Sequence, residues 1–314
     1  MIPLEEIERA RARIAGAAVR TPLVRLPDTD VWLKLENLQP IGSFKIRGAT
    51  NAIRAAGPAA IAAGVVTASA GNMAQGVAWA AREAGVPATI VVPDHAPQTK
   101  LDAIERLGGR VVKVAYERWW QAILESRFDE ADGLFVHPVQ DELVMAGNGT
   151  IGLELVEDLP SLDTVLIPYG GGGLTTGIAS AVKQLRPGVR VFACEPETAP
   201  AVTAALAAGG PSEVGYTPSF VDGAGARSAL PAMWPRVREV IDGAFVATLD
   251  ETAAAIRLLA ERVRVVAEGA GALAPAVALS GRAGGGTIAC IVSGGNIDVA
   301  TLTTILGGET PPSH

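Results

Sequence analysis

Cysteine is nearly missing from this chain. Only Cys194 and Cys290 occur, each inside an apolar strand-like run, which excludes a disulfide framework and reads as buried thiol rather than nucleophile. Basic charge is also short: 26 Lys and Arg stand against 33 Asp and Glu, the net charge is -7 and the pI is about 5.1. No positive field is available for nucleic acid or anionic lipid, so a small molecule is the expected partner. No apolar run approaches the ~18 residues of a membrane span. The opening Met1-Ile2-Pro3-Leu4-Glu5-Glu6 carries acid where a secretory leader carries base, so a reduced, cytoplasmic location is expected. His95, His137 and His314 are scattered without the spacing of metal ligands.

What the chain has is apolar content, 49% over 314 residues, enough to bury roughly three quarters of the unfolded surface. β-Branched runs at Val31–Glu36, Val65–Ala68, Ala88–Val92, Arg110–Val114, Thr164–Pro168, Val189–Ala193 and Thr287–Val292 read as strands. Helical patterns at Pro97–Leu107, Trp119–Ser126, Leu174–Leu185 and Glu251–Val265 lie between or after them, and Ala52–Ala63 is alanine-rich. The alternation predicts an α/β fold with open, mostly parallel twisted sheets covered by helices. Ligands of such sheets sit at the carboxyl ends of strands. The tail Gly307–His314, with Pro311-Pro312, is expected to fray.

Four strand-to-helix loops hold the unusual chemistry. Ser43-Phe44-Lys45-Ile46-Arg47-Gly48 sets one of the chain's five lysines between apolar neighbours at a helix start. Burial there lowers a lysine pKa toward the neutral amine that condenses with carbonyls, although a lysine snorkelling from a helix end explains the loop alone equally well. Tyr169-Gly170-Gly171-Gly172-Gly173-Leu174 offers free N–H groups at a helix start to an anion such as phosphate; the bland alternative is a tight connection. It is not a Walker sequence. Thr175 or Thr176 stands where a dinucleotide fingerprint has its third glycine, yet Glu195 lies at the distance of a ribose ligand, so a nucleotide-dependent oxidoreductase stays open. Ser69-Ala70-Gly71-Asn72 and Ser293-Gly294-Gly295-Asn296 are turns that suit a carboxylate or a cofactor ring, or simply cap helices.

Jointly, these loops in this order resemble the serine/threonine dehydratase family, pyridoxal 5'-phosphate (PLP) enzymes of fold type II. The likeness runs from Arg20-Thr21-Pro22-Leu23 through Glu36-Asn37-Leu38-Gln39, Val92-Pro93-Asp94-His95-Ala96-Pro97 and His137-Pro138 to Asn296. The resemblance implies two domains with PLP in the cleft between them: a large one of residues 1–51 and 141–314 and a small inserted one of residues 52–140. It implies that Lys45 bonds covalently to the cofactor and, once displaced by the substrate amine, takes the Cα proton. Phe44 would pack by the ring, Asn72 would bond its 3'-oxygen, Ser293 its nitrogen, and Gly170, Gly171, Gly172 and Gly173 would cradle the phosphate. Ser69, Ala70, Gly71, Asn72 and Met73 would hold the substrate carboxylate, and Glu268 would lie near the cofactor. The implied reaction is α,β-elimination from a small β-hydroxy amino acid, L-threonine or L-serine first, giving a 2-oxo acid and ammonia, in a homodimer. Racemisation, β-replacement and a non-catalytic phosphate-binding role are the other readings.

The departures from the pattern matter. Ala70 stands where racemase-like members carry a proton-donating serine, so elimination should far outrun racemisation. Met73 replaces a histidine and makes the pocket more apolar. Glu195 is present at the family's divalent-metal position, but Ala201 lacks the second carboxylate, so Mg²⁺ binding should be weak. Arg118, Trp119 and Trp120 are expected near the substrate side, where they would crowd the pocket or admit phenylserine or 3-hydroxyaspartate. The chain ends 18 residues after Asn296, so no isoleucine-sensing regulatory domain is expected.

Overall fold

The computed structural model describes residues 1–313. Its strands are β1 (Leu23–Arg25), β2 (Val31–Lys34), β3 (Val65–Ala68), β4 (Ala88–Pro93), β5 (Gly109–Val114), β6 (Leu134–Phe135), β7 (Leu162–Pro168), β8 (Arg190–Pro196), β9 (Gly243–Ala247) and β10 (Thr287–Ile291). They form a six-stranded sheet in the order β1-β2-β10-β7-β8-β9 and a four-stranded sheet in the order β5-β4-β3-β6. Every pairing is parallel except β1 with β2. The central strands are buried along nearly their whole length, as a sheet with helices on both faces requires. Strands β1, β6 and β9, which the periodicity did not flag, are short or only partly buried and sit at sheet edges.

The helix Lys45–Ala60 carries the chain from the six-stranded sheet to the four-stranded one, kinked at Gly57 with φ 78°. The helix Glu142–Asp158 brings it back, its first turn capped by Asp141 accepting from the N–H groups of Leu143 and Val144. These two helices pack closely because Gly48 and Gly147 have no side chain: a Cβ on Gly147 would stand 2.5 Å from the Arg47 carbonyl. Cys194 and Cys290 are free and buried in the larger core, as expected of inert thiols. The tail is not frayed. Thr310 donates to Asp250 at 2.5 Å, and Pro311 and Pro312 line an outer cleft; His314 lies outside the described residues. The expected single helix Glu251–Val265 is an α-helix Leu249–Leu258 continued by a π-turn Leu259–Val263 and closed by Arg264 at φ 65°.

Candidate active site

Four loops meet at the carboxyl ends of β2, β3, β7 and β10. The first and the last are stitched together by backbone: the Phe44 N–H donates to the Ser293 carbonyl at 3.0 Å, and the Gly295 N–H to the Gly42 carbonyl at 2.9 Å. That approach needs glycine at 42, where φ is +72° and a Cβ would meet Asn296 Oδ1 at 2.6 Å. Lys45 is thereby fixed at the start of its helix, and Gly76 lets the helix Asn72–Ala84 lie against it, since a Cβ there would stand 3.0 Å from the Lys45 carbonyl.

The loops enclose a cavity of about 340 Å³. Lys45, Phe44, Ser69, Ala70, Gly71, Asn72, Met73, Gly170, Gly171, Gly172, Gly173, Glu268 and Ser293 all line it, and so does Trp119. Two expected residues stand elsewhere. Arg118 pairs with Glu130 at the surface, and Trp120 is exposed on the same helix without reaching the cavity. Both belong to the outward face of the helix Tyr116–Glu125, and only the turn that places Trp119 inward faces the site.

The electrostatics of the cavity are set by burial. Burial pushes the Lys45 amine down to about 8, the nearby Glu268 partly opposing it, and its Nζ donates to the Pro138 carbonyl at 3.3 Å. The amine also lies 5.1 Å from the centre of the Phe44 ring. Burial, with Asp222 second, raises the Glu268 carboxyl to about 8; the hydrogen bond from Asn72 works the other way. Asn72 Nδ2 donates to Glu268 Oε1 at 2.8 Å, which leaves its second N–H free.

The glycine loop presents backbone alone. A Cβ on Gly171 would meet Val139 at 2.6 Å, and one on Gly172, where φ is +95°, would meet Val237 at 2.8 Å. The helix Gly173–Leu185 starts there, and the hydroxyl of Thr175, at the cavity wall, is buried without a partner. Free N–H groups, the helix dipole and an orphaned hydroxyl together make an anion site.

A family model described as pyridoxal-phosphate dependent enzyme matches residues 14–294. The chain belongs to that family. An L-threonine ammonia-lyase of Thermotoga maritima is 40% identical over 98% of this chain and 78% of its own length. The like-named enzyme of Geobacter sulfurreducens is 38% identical with the same coverage. Among solved structures, maize serine racemase superposes with TM-score 0.88 at 34% identity, covering 97% of each chain. A bacterial threonine deaminase, from T.th., does so with TM-score 0.87 at 36% identity, covering 94% of this chain and 98% of that one.

The cofactor of this PLP enzyme is therefore pyridoxal 5'-phosphate, and the cavity fits it. The glycine loop and Thr175 match a phosphate, the depressed Lys45 amine matches an aldehyde, and the hydroxyl of Ser293 and the free N–H of Asn72 are available to ring atoms. Glu195 has another use: it accepts from the N–H groups of Val202 and Thr203 at 2.6 and 2.9 Å and from the Thr203 hydroxyl at 2.9 Å. Among the described residues no cluster of three His, Cys, Asp or Glu is placed to hold a metal ion, and no helix is long and apolar enough to cross a membrane.

Sequence reasoning missed Lys100, Asp222, Thr175 and the Pro138-Val139 turn, all at the cavity wall. Lys100, on the helix Gln98–Arg106, pairs with Asp222 across the cleft. The scarcity of lysine that drew attention to Lys45 applies equally to Lys100; Asp222 sits in an irregular loop with no periodicity to mark it.

Proposed function

We propose that this PLP enzyme is an ammonia-lyase that eliminates water from a small β-hydroxy L-amino acid, with L-threonine and L-serine as first substrates. The observation that carries the reading is the convergence on Lys45, in one cavity, of an anion-binding loop, a carboxylate-binding turn and Ser293. In the same reading the small domain is residues 52–140 and the large one residues 1–51 and 141–314, and the working unit is a cytoplasmic homodimer. The two helices that cross between the sheets, Lys45–Ala60 and Glu142–Asp158, support that division.

When bound, PLP supplies an electron sink for the bond broken at Cα. The protein's own groups do the rest. Phosphate is held by the N–H groups of Gly170 to Gly173, and the substrate carboxylate by those of Ser69 to Met73. Lys45, its amine near 8, spends much of its time neutral at physiological pH and accepts the Cα proton. Asn72 donates its free N–H to the ring's 3'-oxygen, and Phe44 packs by the ring. Ser293 offers the ring nitrogen a hydroxyl, which cannot keep that nitrogen protonated as a carboxylate would, so the β-hydroxyl departs before negative charge accumulates. The released enamine hydrolyses to a 2-oxo acid and ammonia.

Trp119 at the cavity wall favours one second reading, a larger β-substituent such as a phenyl ring. The deciding experiment is kcat/KM for L-threonine, L-serine, threo-phenylserine and threo-3-hydroxyaspartate, followed by 2-oxo acid release. A hundredfold preference for phenylserine that Trp119→Ala removes would replace the first reading with the second.

A further inference from the structure

His137 is buried, follows β6, and lies outside the cavity lining. Its Nδ1 accepts two backbone hydrogen bonds, from the N–H of Val139 at 3.0 Å and from that of Gln140 at 2.8 Å. A nitrogen that accepts twice carries no proton, so the ring is the neutral tautomer with its hydrogen on Nε2. Nε2 leans toward the Ile123 carbonyl without reaching hydrogen-bond geometry and has no other partner. The imidazole therefore works as a bracket that folds residues 137–140 into a tight turn, in the way an Asn or Asp side chain caps its own backbone two and three residues on.

That turn touches both halves of the cofactor site. Its Pro138 carbonyl accepts from Lys45 Nζ at 3.3 Å. Its Val139 closes on the glycine loop: the space a Cβ would need on Gly171 is filled by the Val139 side chain at 2.6 Å, and on Gly173 by the Val139 carbonyl at 3.0 Å. The position of the turn is fixed from the small-sheet side, where the Thr67 hydroxyl donates to the Val136 carbonyl at 2.8 Å and the Val136 N–H to the Val66 carbonyl at 2.8 Å.

We infer that His137 is a positioning residue that, through the turn 137–140, sets the catalytic lysine and the phosphate-binding loop relative to each other. This rests on Lys45 being the cofactor lysine. It requires an acceptor at the Nδ1 position and no titration, so asparagine, whose Oδ1 occupies that place, should do the same work, whereas alanine cannot.

The test uses the full chain. Nitrogen NMR of the wild-type apoenzyme should show Nε2 protonated and Nδ1 bare; a proton on Nδ1 overturns the inference whatever the variants do. His137→Ala should weaken PLP binding and lower kcat, each on the order of tenfold or more, as expected when reacting groups shift by a fraction of an ångström to one ångström. His137→Asn should restore both to within about threefold of wild type. Equal cofactor affinity and equal kcat in the two variants would sink the proposal, since a merely space-filling histidine gains nothing from the asparagine acceptor. If the alanine variant does not fold, the same comparison is made with His137→Leu. Borohydride fixation followed by peptide mapping tests the underlying reading apart from this one: a label on any lysine but Lys45 refutes the assignment of the cofactor lysine and leaves the tautomer result standing.

Discussion

Asn72 is clamped by Glu268, whose Oε1 takes one of its two amide hydrogens at 2.8 Å, while Asn296 Nδ2 donates to the Asn72 Oδ1 at 2.7 Å. The carboxamide has one orientation in this frame, with its remaining N–H as the group left for a ligand. Glu268 itself is held protonated by burial up to about pH 8. In the unfolded chain it ionises near 4.5. The sign of the pH effect follows: the folded pKa is the higher, so this group's contribution to stability is complete below pH 4.5 and is lost as pH rises through 8.

Glu268→Gln removes that titration and keeps an oxygen for Asn72 to donate to. The melting temperature of the apoenzyme variant should therefore gain on wild type progressively between pH 5 and 8, reaching several degrees. Lys45 titrates in both proteins and largely cancels in the comparison. Parallel melting curves across that range would show that Glu268 is ionised in the fold.

Ala70 places a methyl group in the cavity that Lys45 enters, and a methyl group delivers no proton. Elimination from L-serine should exceed its conversion to D-serine by at least about a hundredfold, the order of rate an absent general acid costs. Ala70→Ser should raise racemisation. Chiral chromatography of the reaction decides it, and comparable rates in the wild type would refute the assignment of the opposite face.

Gly172 combines a left-handed backbone with the Val237 side chain 2.8 Å from where a Cβ would sit. Gly172→Ala should destabilise the apoenzyme by about 1–3 kcal/mol. It should also weaken inorganic phosphate and PLP binding together, read by titration. Loss of stability with phosphate affinity intact would separate the loop's structural duty from anion binding.

Arg47, close to the catalytic lysine's end of the helix, is buried between Glu36 at 2.8 Å and Glu154 at 2.6 Å, with Lys34 reaching Glu154 at 2.6 Å. Burial alone would raise Glu36, but the charge and hydrogen bonds of Arg47, helped by Thr21, hold it below the usual carboxylate range. Arg47→Met leaves two buried carboxylates to one lysine and should cost about 3–5 kcal/mol in urea unfolding. Adding Glu36→Gln should return part of it; a double variant no more stable than the single would show that Glu36 and Arg47 are not coupled.

Periodicity and loop chemistry made much of the fold legible in advance. Continuous β-branched runs such as Thr164–Pro168 can be buried on both faces only in a parallel sheet, and glycine clusters at strand ends have few uses besides close backbone approach. The edge strands β6 and β9 escaped because partial burial leaves no unbroken apolar run. The site was harder. Lys45, the glycine loop and both Ser-x-Gly-Asn turns are contiguous words in the sequence, each requiring only its neighbours to be read.

What the sequence determined by itself is therefore local: which segments bend, which offer bare N–H groups, which lysine lies among apolar neighbours, and that position 70 has no proton to give. Distance between segments was decided by the tertiary structure alone. Burial from every side, and not the residues around it, brings the Lys45 amine to about 8 and the Glu268 carboxyl to about 8. Only the packing of the helix Tyr116–Glu125 separates Trp119 from its neighbours Arg118 and Trp120, because one helical turn points three adjacent side chains in three directions. The bracket at His137 needs only its own following residues to form, but the reach of its Pro138 carbonyl to Lys45, 93 positions earlier, exists only because two sheets close on one cavity.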